Sequence, residues 1–123
     1  MSKWKGTFEI ELGGKAYQLR PSFDALCEFE EAAGVPAHVA RQQLIEGNFG
    51  AKVIPAALWA GIKGEHLMSG QKCPSFRVVG ETVRKAGMFG FQVEALKFLT
   101  YGLSADDIIE RIENDEPEEE KKS

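Results

Sequence analysis

A mainly helical α+β domain, with an N-terminal β-hairpin followed by about five or six short helices, is the fold class that three features of this sequence predict. Apolar and polar residues alternate on both sides of a Gly-Gly pair near the start, and apolar residues then recur at three- and four-residue spacing as far as Ile112. Serine, glycine and proline stand at the cap and stop positions of those helical runs. At 123 residues, 43% hydrophobic and with eight Phe and two Trp, the chain has the size and apolar content of one packed core.

In chain order, Phe8, Ile10 and Leu12 alternate with Glu9 and Glu11, and Ala16 to Arg20 follows Gly13-Gly14. Glycine tolerates the positive φ that tight hairpin turns require, so this segment predicts two paired strands. An isolated hairpin is marginal in water and must pack on something else. Ser22 is placed to cap a helix with Phe23, Leu26, Cys27 and Ala33 on its apolar face, stopped by Gly34 and Pro36. A second helix is expected from Ala37 to Glu46 with Val39, Leu44 and Ile45 inward, and a third from about Pro55 to Lys63. Gly64 to Pro74 reads as a surface loop with few core contacts.

Helix four is expected over Ser75 to Ala86, with Phe76, Val79, Gly80 and Val83 on one side. Gly87 and Gly90 bracket Met88 and Phe89 before a fifth helix, Phe91 to Tyr101, which is apolar around most of its circumference apart from Glu94, Lys97 and Tyr101. A helix so widely apolar is either central to the core or part of a binding surface. Ser104 is expected to cap a last amphipathic helix carrying Ile108, Ile109 and Ile112. The organisation predicted is a globular unit over residues 1–103, then an acidic helix and a disordered tail over 104–123.

Charge is unevenly spread. Ser104 to Ser123 holds nine acidic residues against three basic ones, a balance of −6, while the body holds twelve basic against ten acidic residues. Without a basic stripe the chain lacks the electrostatic term that dominates nucleic-acid affinity, so no nucleic-acid partner is expected. No run approaches the roughly 20 apolar residues of a membrane span. Met1 to Lys5 is followed by no apolar segment of the secretory type, and Cys27 and Cys73 form no C-x-x-C pair. A cytoplasmic protein with reduced thiols and no membrane partner is the expectation.

Catalytic and metal constellations are missing from the pattern. His38 and His66 have no partner at ligand spacing and read as solvated surface residues. Gly13-Gly14-Lys15 fails as a phosphate loop, because Ala16 follows the lysine and the next element is a strand. Ser22 and Ser104 sit at caps rather than in a nucleophile elbow, and Asp24, Glu28, Glu30 and Glu31 read as the solvated face of one helix. No enzyme activity and no cofactor are expected.

The run Tyr17-Gln18-Leu19-Arg20-Pro21-Ser22-Phe23-Asp24-Ala25-Leu26, with Glu30-Glu31 and Gly34 after it, resembles the N-terminal signature of the gene-transfer-agent family of phage tail proteins. Leu58-Trp59-Ala60-Gly61 and Val79-Gly80-Glu81-Thr82-Val83 with Ala86-Gly87 are similar to later parts of that pattern. The resemblance implies a small helical tail assembly chaperone that coats the tape measure protein and helps recruit tail tube subunits, acting in the bacterial host cytoplasm. It also implies, as an alternative, a structural component of the tail tube; a small helical adaptor or regulator is a further alternative. Trp59, Met88, Phe89, Phe91 and Phe98 are the candidate partner-binding residues, with Phe89 between its two glycines the one most suited to exposure. Self-association is expected, because small domains with broad apolar helices complete their cores that way.

Overall fold

The computed structural model describes residues 4–114. Two strands, β1 (Phe8–Leu12) and β2 (Lys15–Leu19), form an antiparallel hairpin and are followed by α1 (Phe23–Ala33), α2 (Ala37–Glu46), α3 (Val53–Ser69), α4 (Phe76–Ala86), α5 (Gln92–Gly102) and α6 (Asp106–Glu113). A single 3₁₀ turn, Met88–Phe91, joins α4 to α5. This is the α+β class that the patterning predicts, with the helical part dominant.

The hairpin closes at Gly13 and Gly14, whose φ values of 61° and 81° lie in the left-handed region and give a turn matched to strand twist. Its register pairs Phe8 with Leu19 and Ile10 with Tyr17, and Phe8, Ile10 and Leu12 all point into the core. Glu9 accepts from Gln18 Nε2 on the outer face.

Helix α3 is the hub. Most of its residues from Val53 to Glu65 are buried, and β2, α1, α4 and α5 pack around it. Two glycines set how closely its neighbours approach. A Cβ on Gly61 would stand 2.6 Å from Leu19 Cγ, and one on Gly64 would stand 2.7 Å from the Arg20 carbonyl oxygen. Through these notches Arg20 N donates to the Gly61 carbonyl at 3.0 Å, and Arg20 Nε pairs with Glu65 Oε1 at 2.8 Å. The Arg20 guanidinium thus supplies the hydrogen-bonded partner that the buried Glu65 side chain requires.

Several sequence expectations need correcting. Helix α3 runs six residues beyond Lys63, to Ser69, because Gly64 lies where the β2–α1 connection crosses the helix and a larger residue would not fit. The loop after it is also tied down: Gln71 accepts from Gln18 N at 3.1 Å and donates to the Gln18 carbonyl at 3.0 Å, acting as a one-residue strand partner for β2, while His66 Nδ1 lies 2.7 Å from the Gln71 carbonyl. In α1 the buried pair is Ala25 and Phe29, not Phe23 and Cys27, which are exposed. The two pairs are rival i, i+4 stripes on one helix, and the contact of α1 with α3 selects the first. In α2 Ala37, Ala40 and Leu44 face inward and Ile45 is exposed. Of the α1 carboxylates, Glu28 pairs with Lys63 at 3.3 Å and Glu30 accepts from Ala37 N at 2.7 Å, capping the start of α2.

Ser22 caps α1 as expected, accepting from Ala25 N, and Ser75, expected as the first residue of helix four, caps it instead by accepting from Val78 N. Ser104 does not cap α6. Its hydroxyl donates to the Thr100 carbonyl, and Ala105 holds the cap position. Tyr101, expected on the polar strip of α5, is 4% exposed. It packs edge-on against Trp4 and Phe8 and donates its hydroxyl to Glu113, which also pairs with Lys97 at 3.4 Å. With Ile109 buried, these contacts dock α6 on the body. The disordered tail expected past α6 falls outside the described residues.

Two measurements follow from this packing. Alanine is normally preferred to glycine inside a helix by about 1 kcal/mol, yet Gly64→Ala is expected to lower stability to urea by about 1–3 kcal/mol through overpacking. Gly80→Ala, whose Cβ would meet nothing nearer than 3.9 Å, is expected to raise it; equal effects at the two sites would show that the β2–α1 crossing does not press on α3. The second concerns pH. Burial, then the hydrogen bond and charge of Glu113, push the Tyr101 hydroxyl well above the ordinary tyrosine range. Folding therefore favours its protonated form, so this contribution is complete below the unfolded value of about 10 and is lost as pH rises from there through the folded value. Urea midpoints of wild type and Tyr101→Phe are expected to converge above about pH 10, and a constant gap would contradict the assignment.

Candidate partner-binding surface

The surface is built where α4 ends. Gly87 takes φ 103° and its N–H donates to the Val83 carbonyl at 2.9 Å, which closes α4 and turns the chain away from it. Gly90 N then donates to the Gly87 carbonyl, making the 3₁₀ turn that carries Met88 and Phe89. Gln92 Nε2 donates to the Leu44 carbonyl at 2.9 Å, locking the start of α5 against the end of α2. Phe89 is left 79% exposed, and its only ring neighbour among the described residues is Phe49, edge-on at 6.3 Å. Val93 on α5 and Ile45 on α2 are exposed on the elements joined by that Gln92 bond.

Met88 turns the other way. It lines a groove of about 290 Å³ between α3 and α4, whose apolar floor includes Pro55 and Phe76 beside Gly80. Lys52, Arg77 and Arg84 form the rim, with Glu81 paired to Arg84 at 3.1 Å. Trp59 stands on α3 against the far edge of Phe76, ring centroids 5.7 Å apart, with Lys63 Nζ 5.1 Å over its indole. Trp59 and Phe91 are half-buried against the core. Phe98 is wholly buried against Phe29 and is withdrawn from the set: α5 lies between α2 and α3, so the face that carries Phe98 is consumed by the core.

Sequence reasoning missed a second exposed aromatic. Phe23, 78% exposed, and Met68 line another groove, of about 380 Å³, together with Trp4, Tyr101 and Ile109 at the opposite end of α3. Phe23 reads as core because it heads one of two competing stripes on α1, whereas Met68 lies in a segment that reads as a surface loop and so is not placed on any helix face. The placement of Phe29 in the middle of α1, with Phe23 only at its first position, was the available signal.

Chemically these surfaces can bury apolar area and answer charge. The half-buried Cys73 thiol is pushed up by burial more than Lys63 pulls it down, which makes it a poor nucleophile. Among the described residues no three His, Cys, Asp or Glu side chains are grouped to hold a metal ion, and no helix is long and apolar enough to cross a membrane.

No family model, curated protein or solved structure matches this chain.

Phe98→Ala is expected to cost about 3–5 kcal/mol in chemical denaturation, as buried Phe truncations do. Phe89→Ala, by contrast, is expected to stay within about 0.5 kcal/mol of wild type. A large loss at Phe89 would mean that it supports the fold rather than a partner.

Proposed function

We propose that this chain is a tail assembly chaperone of the gene-transfer-agent type, a small helical factor that covers apolar stripes of a tape measure protein without catalysing a reaction. The observation that carries the reading is Phe89, held out from the body by Gly87 and Gly90, with Phe49 its one ring neighbour among the described residues. A large aromatic placed in solvent by a capped, hydrogen-bonded turn gains nothing for the fold. It suits an anchor that fills a groove on another helix, since rigid aromatics dominate the energetics of such contacts. The helix-dominated fold favours this reading over a tail tube subunit, for which β-structure and ring assembly are expected. The resemblance of the Leu19 to Phe23 run to gene-transfer-agent tail proteins points to the same class.

Co-expression with a gene-transfer-agent tape measure protein tests the proposal. Wild type is expected to keep the tape measure soluble and to co-purify with it. Phe89→Asp with Val93→Asp is expected to weaken that association by at least about tenfold, equivalent to ~1.4 kcal/mol, at unchanged circular dichroism. If wild type leaves the tape measure insoluble, the function is wrong; if only the variant behaves as wild type, the binding surface lies elsewhere.

A further inference from the structure

We infer that the chain assembles head to tail, the exposed face of α6 of one copy seating in the α3–α4 groove of the next. Three observations point to this joint. The groove has an apolar floor at Pro55, Phe76 and Met88 and a rim of Lys52, Arg77 and Arg84, relieved only by Glu81. Helix α6 has the complementary chemistry: Ile108 and Ile112, one turn apart, are both exposed, and Asp106, Asp107 and Glu110 outnumber Arg111 beside them. The acidic balance of −6 from Ser104 onward, against a net positive body, carries the same sign further along the chain.

The third observation is where the two surfaces lie. Asp106 and Ile109 of α6 line the cavity that contains Met68, near the C-terminal end of α3, whereas Pro55 marks the groove near its N-terminal end. Thirteen helical residues separate Pro55 from Met68, about 20 Å at 1.5 Å per residue. With Ile109 buried and Glu113 engaged by Tyr101 and Lys97, α6 cannot occupy its own groove. A second copy meets no such constraint. Because the paired surfaces differ and stand at opposite ends, the contact is heterologous and propagates into an open chain or a closed ring rather than stopping at a dimer. Phe89 is not among the groove-lining residues, so the joint leaves it free for another partner.

Sedimentation or light scattering on purified protein tests this. Wild type is expected to show a weight-average mass that climbs with concentration beyond twice the chain's 13.6 kDa and falls when salt is raised. Ile108→Ser with Ile112→Ser, and separately Lys52→Glu with Arg77→Glu, are expected to give monomers with unchanged circular dichroism, since all four residues lie on the outside. The deciding sample is an equimolar mixture of the two double variants. One intact groove and one intact α6 remain, so a single joint forms and the mass stops at twice the chain. A wild type that stays monomeric at all concentrations, or a mixture that stays monomeric or grows past a dimer, overturns the inference. So does association that survives either double variant.

Discussion

Leu19 seated over Gly61 is the contact on which the rest of this structure depends. A two-stranded hairpin has too little apolar face to persist in water, and here its second strand ends with a leucine pressed into the only kind of surface that admits it, a helix stripped of a side chain. Three bonds follow from that seating. The next backbone amide reaches the Gly61 carbonyl, the Arg20 guanidinium reaches Glu65, and the chain is delivered to Ser22 in position to start α1. The Leu19-Arg20-Pro21-Ser22-Phe23 run thus joins sheet, hub helix and first outer helix.

Once β2 and α1 occupy one side of α3, the other helices have few places left. Helices α4 and α5 pack on the hub, α2 packs on α5, and α6 closes over the far end of α5 through Ile109 and the Tyr101 hydroxyl. The core claims part of the apolar surface of each helix, and what it leaves outside is distributed unevenly. Phe89 and Val93 gather near one end of the hub, Phe23 and Met68 at the other, and Ile108 and Ile112 on the back of α6. A body with unlike apolar surfaces at its two ends is better suited to contact with other chains than to enclosing a small molecule.

Legibility differed by element, for physical reasons. The hairpin was readable because alternation about Gly13-Gly14 admits one register that buries Phe8, Ile10 and Leu12 together. Helix α4 was readable because Phe76, Val79, Gly80 and Val83 form one stripe with Val78 alone among its valines outside it. Helix α1 was not, since Phe23–Cys27 and Ala25–Phe29 are both i, i+4 pairs and only the neighbour decides between them. Of the candidate surface, Phe89 was legible from its flanking glycines; Phe98 was misplaced because a helix apolar all round does not say which side faces water.

By itself the sequence determined the class, the order of the elements, the Ser22 cap and the turn that carries Phe89, because these depend on local periodicity and on the backbone freedom of a few glycines and serines. Tertiary structure alone decided that α3 continues through Gly64 to Ser69, that Tyr101 is buried under α6, and that Phe23 stands in solvent. Those outcomes turn on close approach between segments far apart in the chain, where a missing Cβ or an answering charge on one segment sets what the other can do.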